Sequence, residues 1–300
     1  MTVAARVGSE VREALFAGLF DDAALFPPGN VPMPAAVVAH RARTRTRDAV
    51  LTGPFVCPDT RVAELGSVLA GAGADGAQGS DAFPISLVVP GGSGALAAAL
   101  RAATSLPDVV VRAIELPAAP TPAGVDEALA AVRAAAIPED VPVHLELAAA
   151  PERDAALHRL AGSGVRAKIR TGGTVAAAFP DEHGLATALT GCVQRGLAFK
   201  LTAGLHHAVR YTDPVTRFEH HGFLNVLLAV AAALAGGDIA GVGAVLADRD
   251  GAALAREARG LTPASARSVR AAFVSFGTCS ISEPVADLIT LGLLDRQVAG

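Results

Sequence analysis

The segment VRAKIRTGG at residues 165–173 and the segment AFKLTAG at residues 198–204 decide the fold. Each is a short apolar run that ends in polar residues and a glycine-containing turn, a pattern typical of a buried strand and the loop after it. Ala-rich sequence of helical character lies between them. A strand, a helix and a second strand in this order predict two parallel strands joined by a crossover helix.

The same alternation extends outward to both ends of the chain. Short apolar runs predict eight strands, at residues 23–26, 50–56, 85–89, 109–116, 141–147, 165–170, 198–202 and 272–277. Helical patterns separate them, as at residues 61–70, 95–103, 125–136 and 151–161. Continuous apolar strands indicate a parallel sheet that is covered on both faces.

Strand and helix units without a break in composition favour an α/β fold, a single (β/α)₈ TIM barrel over residues 1–300. A doubly wound open sheet is the alternative. We expect an N-terminal helix before the first strand and extra helices before the eighth, where residues 238–258 have a helical pattern. Residues 71–82, rich in Gly, Ala and Asp, are typical of a flexible surface loop.

The composition excludes several classes of protein. The 300 residues are 51% hydrophobic and 18% charged, and the net charge of −4 favours neither nucleic acid nor an anionic membrane as a partner. The N-terminus lacks a secretory signal core, and the most apolar run, residues 223–235, is shorter than the roughly 20 residues that span a bilayer. Three widely spaced cysteines indicate no disulfide framework, so we expect a cytoplasmic protein. Because symmetric dimers are common, a homodimer is left open.

Lysine occurs at only two positions, Lys168 and Lys200. Lysine and arginine together number 25, so the remaining 23 residues are arginine. A lysine kept against such a bias suggests a need for a primary amine, because arginine neither forms an imine nor loses its proton near neutral pH. Both lysines stand near the carboxyl end of a predicted strand, where barrels carry their reactive groups.

Other polar residues end the neighbouring strands: Glu115 the fourth, Glu146 the fifth and Arg170 the sixth. Period-two alternation places Lys168 and Arg170 on one face of their strand. If that face points inward, these two cations and Lys200 converge, and we expect the pKa of one amine to fall. Glu115 and Glu146 would then balance the charge or carry protons.

Three motifs, in chain order, resemble the deoxyribose-phosphate aldolase group of class I aldolases. They are Lys168-Ile169-Arg170-Thr171-Gly172 on the sixth strand, Phe199-Lys200-Leu201-Thr202-Ala203-Gly204 on the seventh, and Phe276-Gly277-Thr278-Cys279-Ser280 after the eighth. The first matches the Lys-x-x-Thr-Gly pattern of that family, and the third is similar to its phosphate loop. The matches cover the C-terminal half. The layout with LFDDAALFPPGN at one end and FGTCSISEPVADL at the other also looks like a group of uncharacterised bacterial barrel proteins.

The resemblance implies a lyase that needs no cofactor, in which Lys168 forms a Schiff base with a small carbonyl substrate and Lys200 lowers its pKa. Glu115 or Glu146 would move the protons. We place the substrate contacts, some to a phosphate or carboxylate, at Arg170, Thr171, Gly172, Gly173, His206, His207, Gly277, Thr278, Cys279 and Ser280. The family has an aspartate where Glu115 is the nearest candidate, and no counterpart of His206-His207, which leaves the substrate open.

Two other functions stay open. A metal-dependent isomerase or hydrolase would draw ligands from His206, His207, His220, His221, His144, Glu115 and Glu146. No metal-binding motif is present, and we favour substrate contact or a structural role for the histidines. A barrel without catalysis would use its Lys–Glu pairs for structure and serve a binding role. Asp21 and Asp22, which precede the first predicted strand, are interpreted as structural.

Overall fold

Eight parallel strands close into one barrel in the computed structural model, which describes residues 3–74 and 82–295. Around the ring, the barrel strands follow one another in chain order, and the last strand closes on the first. The predicted α/β fold, a (β/α)₈ TIM barrel, is confirmed. Strand ends of such a barrel meet at one mouth, which brings distant parts of the chain together.

The barrel strands are β1 (Phe20–Asp22), β2 (Thr52–Pro58), β3 (Phe83–Val88), β4 (Val109–Ala118), β5 (Val143–Leu147), β6 (Arg166–Arg170), β7 (Phe199–Thr202) and β10 (Phe273–Thr278). An antiparallel hairpin, β8 (Tyr211–Thr212) with β9 (Glu219–His220), stands outside the ring. The second to eighth predicted strands agree with the observed strands to within two residues at each end.

Helices cover the outside of the barrel. They are α1 (Val3–Phe16), α2 (Met33–Arg43), α3 (Val62–Ala74), α4 (Leu96–Thr104), α5 (Pro122–Ala134), α6 (Arg153–Leu160), α7 (Glu182–Gln194), α8 (Phe223–Leu234), α9 (Ile239–Ala247), α10 (Gly251–Gly260), α11 (Pro263–Ala272) and α12 (Ser282–Thr290). The N-terminal helix and the extra helices before the eighth strand are confirmed. Residues 75–81 of the predicted surface loop lie outside the described residues, and α3 extends to Ala74. Among the described helices, none is both long enough and apolar enough to cross a membrane.

The prediction of the first strand at residues 23–26 is wrong, because β1 spans Phe20–Asp22. The apolar residues that follow form a turn, in which the Phe26 N–H donates to the Ala23 carbonyl at 2.9 Å. A prediction from apolar residues fails here because β1 carries two acidic residues, Asp21 and Asp22, and both are buried.

The two faces of the strands differ in chemistry. On the outer face Phe20 packs edge-on against Phe223 of α8, with 5.5 Å between ring centroids, and against Phe276 of β10 at 5.4 Å. Burying a phenylalanine side chain in this way stabilises the folded state by about 1.5–3 kcal/mol. Because neighbouring residues of a strand face opposite sides, Asp21 beside Phe20 and Ser275 beside Phe276 point inward, where they hydrogen-bond to each other.

Asp22 has the structural role that the sequence suggested. Its side chain points to the outer face of β1, away from that of Asp21. It accepts hydrogen bonds from His40 Nδ1 at 2.9 Å and from Arg43, both on α2. Burial alone raises the pKa of Asp22, but His40 and Arg43 outweigh burial and lower it. Asp22 therefore ties the end of β1 to α2 as an ionised carboxylate.

Candidate active site

Lys200 lies inside the barrel and binds two carboxylates. Its Nζ atom is 2.5 Å from Asp21 Oδ2 and 2.5 Å from Glu115 Oε1. Ser275, its register partner on β10, donates a hydrogen bond to the same Asp21 oxygen at 2.8 Å. Only 1% of the Lys200 side chain is exposed. The amine is thus an ion-paired group that solvent hardly reaches.

A glycine of β2 makes room for Asp21. A Cβ atom added to Gly53 would lie 2.2 Å from Asp21 Oδ1, well inside contact distance. Any larger residue at this position displaces the carboxylate from Lys200 or bends β2. Gly53 is therefore required by the close approach of a side chain.

Lys168 is the register partner of Lys200 on the neighbouring strand and shares Glu115 with it. The Lys168 Nζ atom is 2.9 Å from Glu115 Oε2 and 2.8 Å from Glu146 Oε2. Arg170 binds the other oxygen of Glu146 with Nε at 3.0 Å and Nη2 at 2.8 Å. We call this alternating series the charge network: Asp21, Lys200, Glu115, Lys168, Glu146 and Arg170.

The charge network runs from the barrel interior to the solvent. The exposed fraction of the side chain rises from 1% at Lys200 through 6% at Lys168 and 19% at Glu146 to 46% at Arg170. A molecule entering from the mouth therefore meets Lys168 before Lys200.

The prediction that clustered cations lower the pKa of an amine is wrong for Lys200. Burial alone lowers the pKa of Lys200, but the charges and hydrogen bonds of Asp21 and Glu115 outweigh it and raise the pKa above its usual value. The sequence argument failed because carboxylates stand between the cations. Lys200 consequently keeps its proton at neutral pH.

The carboxylates of the network differ in basicity. Burial raises the pKa of Glu115, but Lys168 and Lys200 outweigh burial and hold the pKa well below its usual value. The pKa of Glu146 is also lowered, because Lys168 and Arg170 outweigh its burial. Burial dominates at Asp21 and raises its pKa, with Lys200 offsetting only part of the effect. Glu115 and Glu146 are therefore ionised at neutral pH.

Sequence reasoning missed three polar residues of the site: Asp21, Ser86 and Ser275. The Ser86 hydroxyl, fully buried on β3, donates to Glu115 Oε1 at 2.6 Å. Both serines interrupt apolar strands, in FPISLV and in FVSFGT. A single serine within an apolar strand could have indicated these positions, since a buried hydroxyl needs a hydrogen-bond partner nearby.

His144 is the register partner of Glu115 on the neighbouring strand β5, and its side chain is buried. Neither of its ring nitrogens has a hydrogen-bond partner among the described residues. Burial, followed by the charge of Lys200, lowers the pKa of His144 to about 3. The ring is therefore neutral at physiological pH.

The loop after β6 packs tightly on the loop after β7. The Thr171 hydroxyl donates to the Ala203 carbonyl at 2.5 Å, and a Cβ atom on Gly172 would lie 2.7 Å from the Cα atom of Gly204. Thr171 and Gly172 are buried, whereas Gly173 is exposed. Of the substrate contacts predicted on β6 and its loop, Arg170 and Gly173 are open to solvent.

The segment after β10 forms another part of the mouth. Gly277 and Thr278 are buried, while Cys279 and Ser280 are partly exposed. Cys279 Sγ lies 3.8 Å from His206 Nδ1. Burial raises the pKa of the Cys279 thiol, so the sulfur stays protonated at neutral pH and is a poor nucleophile.

The predicted histidines pair with groups outside the charge network. His206 Nδ1 is 3.1 Å from Glu283 Oε2, and His207 Nδ1 is 3.0 Å from Asp287 Oδ2, with both carboxylates on α12. His221 lies between the Pro180 carbonyl and the Arg210 guanidinium. Within residues 3–74 and 82–295, no group of three or more His, Cys, Asp or Glu side chains is arranged to hold a metal ion.

A cavity of about 340 Å³ opens near the β8–β9 hairpin. Its lining residues are Ala176, Phe179, Pro180, Asp181, Glu182, Arg210, Arg217, Phe218 and Glu219. The charge network does not contribute to this lining, so the cavity is separate from the two lysines.

Comparison of the chain with protein-family models, with curated proteins and with solved structures found no match in any of the three. The likeness to class I aldolases therefore depends on the quoted motifs and on where the barrel places them.

Proposed function

We propose that the chain is an enzyme, a lyase of the class I aldolase type, in which Lys168 forms a Schiff base with a small carbonyl substrate. The proposal involves no cofactor. The position of Lys168 carries it: the amine lies inside the barrel near the carboxyl end of β6, between two carboxylates, and is less buried than Lys200. Barrel enzymes hold their reacting groups at this end of the strands.

Imine formation needs a neutral amine, so Lys168 must pass a proton to a neighbour. Glu146 is the suitable acceptor because it lies 2.8 Å from the amine and is the more exposed of the two carboxylates. Arg170 holds Oε1 of Glu146 and leaves Oε2 directed at the amine. The same carboxylate can return the proton at later steps.

Lys200 acts in this proposal as a fixed cation. It holds Oε1 of Glu115 together with Ser86, which leaves Oε2 of Glu115 for Lys168. The site is thereby formed before substrate enters. The aldolase resemblance implied that Lys200 lowers the pKa of Lys168; in this proposal Lys200, paired with Asp21 and Glu115, acts by holding Glu115 in place.

In the reaction, the Lys168 nitrogen bonds to the carbonyl carbon, and the oxygen leaves as water after taking up two protons. The iminium accepts the electron pair of the adjacent carbon–carbon bond, while the hydroxyl at the β-carbon gives its proton to a carboxylate. An aldehyde leaves and an enamine remains. Protonation of the enamine carbon and hydrolysis by one water release the second carbonyl product and restore the amine.

Exchange of α-hydrogens for deuterium tests this chemistry, because enamine formation removes an α-proton that D₂O replaces. We expect the wild-type protein to accelerate exchange in at least one of acetone, hydroxyacetone, pyruvate and acetaldehyde, followed by proton NMR. Lys168→Arg is the matched control, since arginine keeps a cation between Glu115 and Glu146 but forms no imine. Equal exchange by the variant, or no acceleration of any compound, would contradict the proposal.

A further inference from the structure

Two histidines at the mouth have a defined ring orientation. His206 Nδ1 lies 3.1 Å from Glu283 Oε2, and His220 Nδ1 lies 3.0 Å from the Gly204 carbonyl oxygen. A carboxylate and a carbonyl only accept hydrogen bonds, so each Nδ1 atom carries the hydrogen. In the neutral ring, the Nε2 atom is then an acceptor with a free lone pair.

Both Nε2 atoms reach solvent and lack a hydrogen-bond partner among the described residues. The two ring centroids are 6.4 Å apart. The two rings are therefore close enough for one small molecule to lie near both.

The acceptors stand at the end of the barrel where Lys168 and Lys200 lie. Gly204, which orients His220, follows β7 directly after Ala203. His206 lies beside Cys279, which follows β10. The Thr171 hydroxyl joins the loop after β6 to Ala203. The two histidines thus belong to the sector of the mouth formed by β6, β7 and β10.

Aromatic packing holds His220 in place. Its ring lies 4.5 Å from Phe179 and stacks on Tyr211 at 4.9 Å between centroids. His220 is buried to 9% exposure, although it belongs to a short hairpin. A fixed acceptor loses little entropy when a ligand binds, so its hydrogen bond favours binding more than that of a mobile side chain.

We propose that His206 and His220 form a subsite for substrate hydroxyl groups, so that the carbonyl compound taken by Lys168 is a hydroxylated one. The inference deepens the proposed function and rests on it. A hydroxyl donates to an imidazole acceptor without adding charge to a network of three cations and three carboxylates. Phosphate oxygens only accept, so two acceptor nitrogens beside Glu283 disfavour a phosphorylated substrate.

The test compares α-hydrogen exchange in hydroxyacetone and in acetone. Hydroxyacetone is intrinsically more reactive, so the measured quantity is the hydroxyacetone-to-acetone rate ratio of a variant divided by that of the wild type. We expect His206→Phe and His220→Phe each to lower this ratio about fivefold to tenfold. His158→Phe is the matched control, because His158 is an exposed histidine of α6 that the account gives no role in substrate binding. His220→Gln, whose amide oxygen can accept in place of Nε2, should restore part of the ratio.

Ratios equal to that of the wild type in both phenylalanine variants would overturn the subsite and leave the proposed function intact. If the wild type exchanges neither ketone, saturation-transfer NMR with erythritol decides the subsite alone, and the proposed function fails only if pyruvate and acetaldehyde are not exchanged either. Erythritol binding that is lost in His220→Phe supports the subsite, and absence of binding to the wild type overturns it. If His220→Phe does not fold, His206→Phe takes its place in the erythritol measurement.

Discussion

Glu115 and Lys200, 85 positions apart in the chain, form an ion pair inside the barrel with 2.5 Å between Oε1 and Nζ. Neither side chain is more than 2% exposed. The other oxygen of Glu115 binds Lys168 at 2.9 Å. One carboxylate therefore holds both lysines, and the geometry proposed for catalysis depends on it.

Replacing Glu115 with glutamine should destabilise the fold strongly. The variant leaves two buried lysines with one carboxylate fewer, and breaking a buried pair in this way costs about 3–5 kcal/mol. Urea unfolding followed by circular dichroism measures the loss. Glu146→Gln is the control, because its side chain is 19% exposed and water can replace it. Equal losses in the two variants would contradict a central role for Glu115.

The contribution of Glu115 should disappear in acid. Its pKa in the folded protein lies well below the usual 4.5, so its stabilisation is complete above that value and is lost as the pH falls through the folded pKa. The difference in unfolding free energy between wild type and Glu115→Gln should therefore shrink as the pH falls from 5 toward the folded pKa. Denaturation curves at pH 7, 5, 4 and 3 test this. A difference that stays constant would contradict the assigned charge state.

Gly53→Ala should disrupt the site from a strand that carries none of the reacting groups. The added Cβ atom would lie 2.2 Å from Asp21 Oδ1, which forces a shift in the Asp21–Lys200 pair. We expect a loss of about 1–3 kcal/mol in unfolding free energy. Gly71→Ala is the matched control in exposed helix α3, where nothing lies within 4 Å and alanine should stabilise by about 0.5–1 kcal/mol. A neutral effect of Gly53→Ala would mean that Asp21 is not tightly held.

Most of the fold could be predicted from the sequence, because seven strands are apolar runs of the ordinary kind. The first strand could not, since FDD at Phe20–Asp22 places charge where hydropathy expects apolar residues. Its inward carboxylate is paired with Lys200, 179 positions away in the chain, and accepts a hydrogen bond from Ser275. This pairing forms only when β1 and β10 close the ring, and the sequence around either residue does not indicate it.

The site could be predicted in part. Lys168, Lys200, Glu115, Glu146 and Arg170 come together as expected from their places at strand ends. The expected fall in an amine pKa does not occur at Lys200, because Asp21 of β1, which the sequence argument left out, pairs with this amine together with Glu115 of β4. Which charges are neighbours depends on register, and register across a barrel cannot be read from spacing along one strand.

Thr171→Val should affect stability more than substrate binding. The buried hydroxyl donates to Ala203 O, so its loss leaves a carbonyl without this partner and costs about 1–2 kcal/mol. Thr174→Val in the exposed part of the same loop should change unfolding free energy by less than about 0.5 kcal/mol. Thermal unfolding of the two variants and their KM values for the best carbonyl compound separate the roles. A large rise in KM at full stability would show that Thr171 contacts the substrate directly.

The central claim is that Lys168, and not Lys200, is the amine that reacts. Borohydride reduces an imine to a stable secondary amine, and the chain holds only two lysines, so mass spectrometry of digested protein can assign the adduct without ambiguity between many sites. Incubation with a panel of small aldehydes and ketones, hydroxyacetone among them, followed by borohydride should add the mass of the reduced compound to the peptide containing Lys168 and leave Lys200 unmodified. An adduct on Lys200, or no adduct on Lys168 with any compound of the panel, would contradict the account.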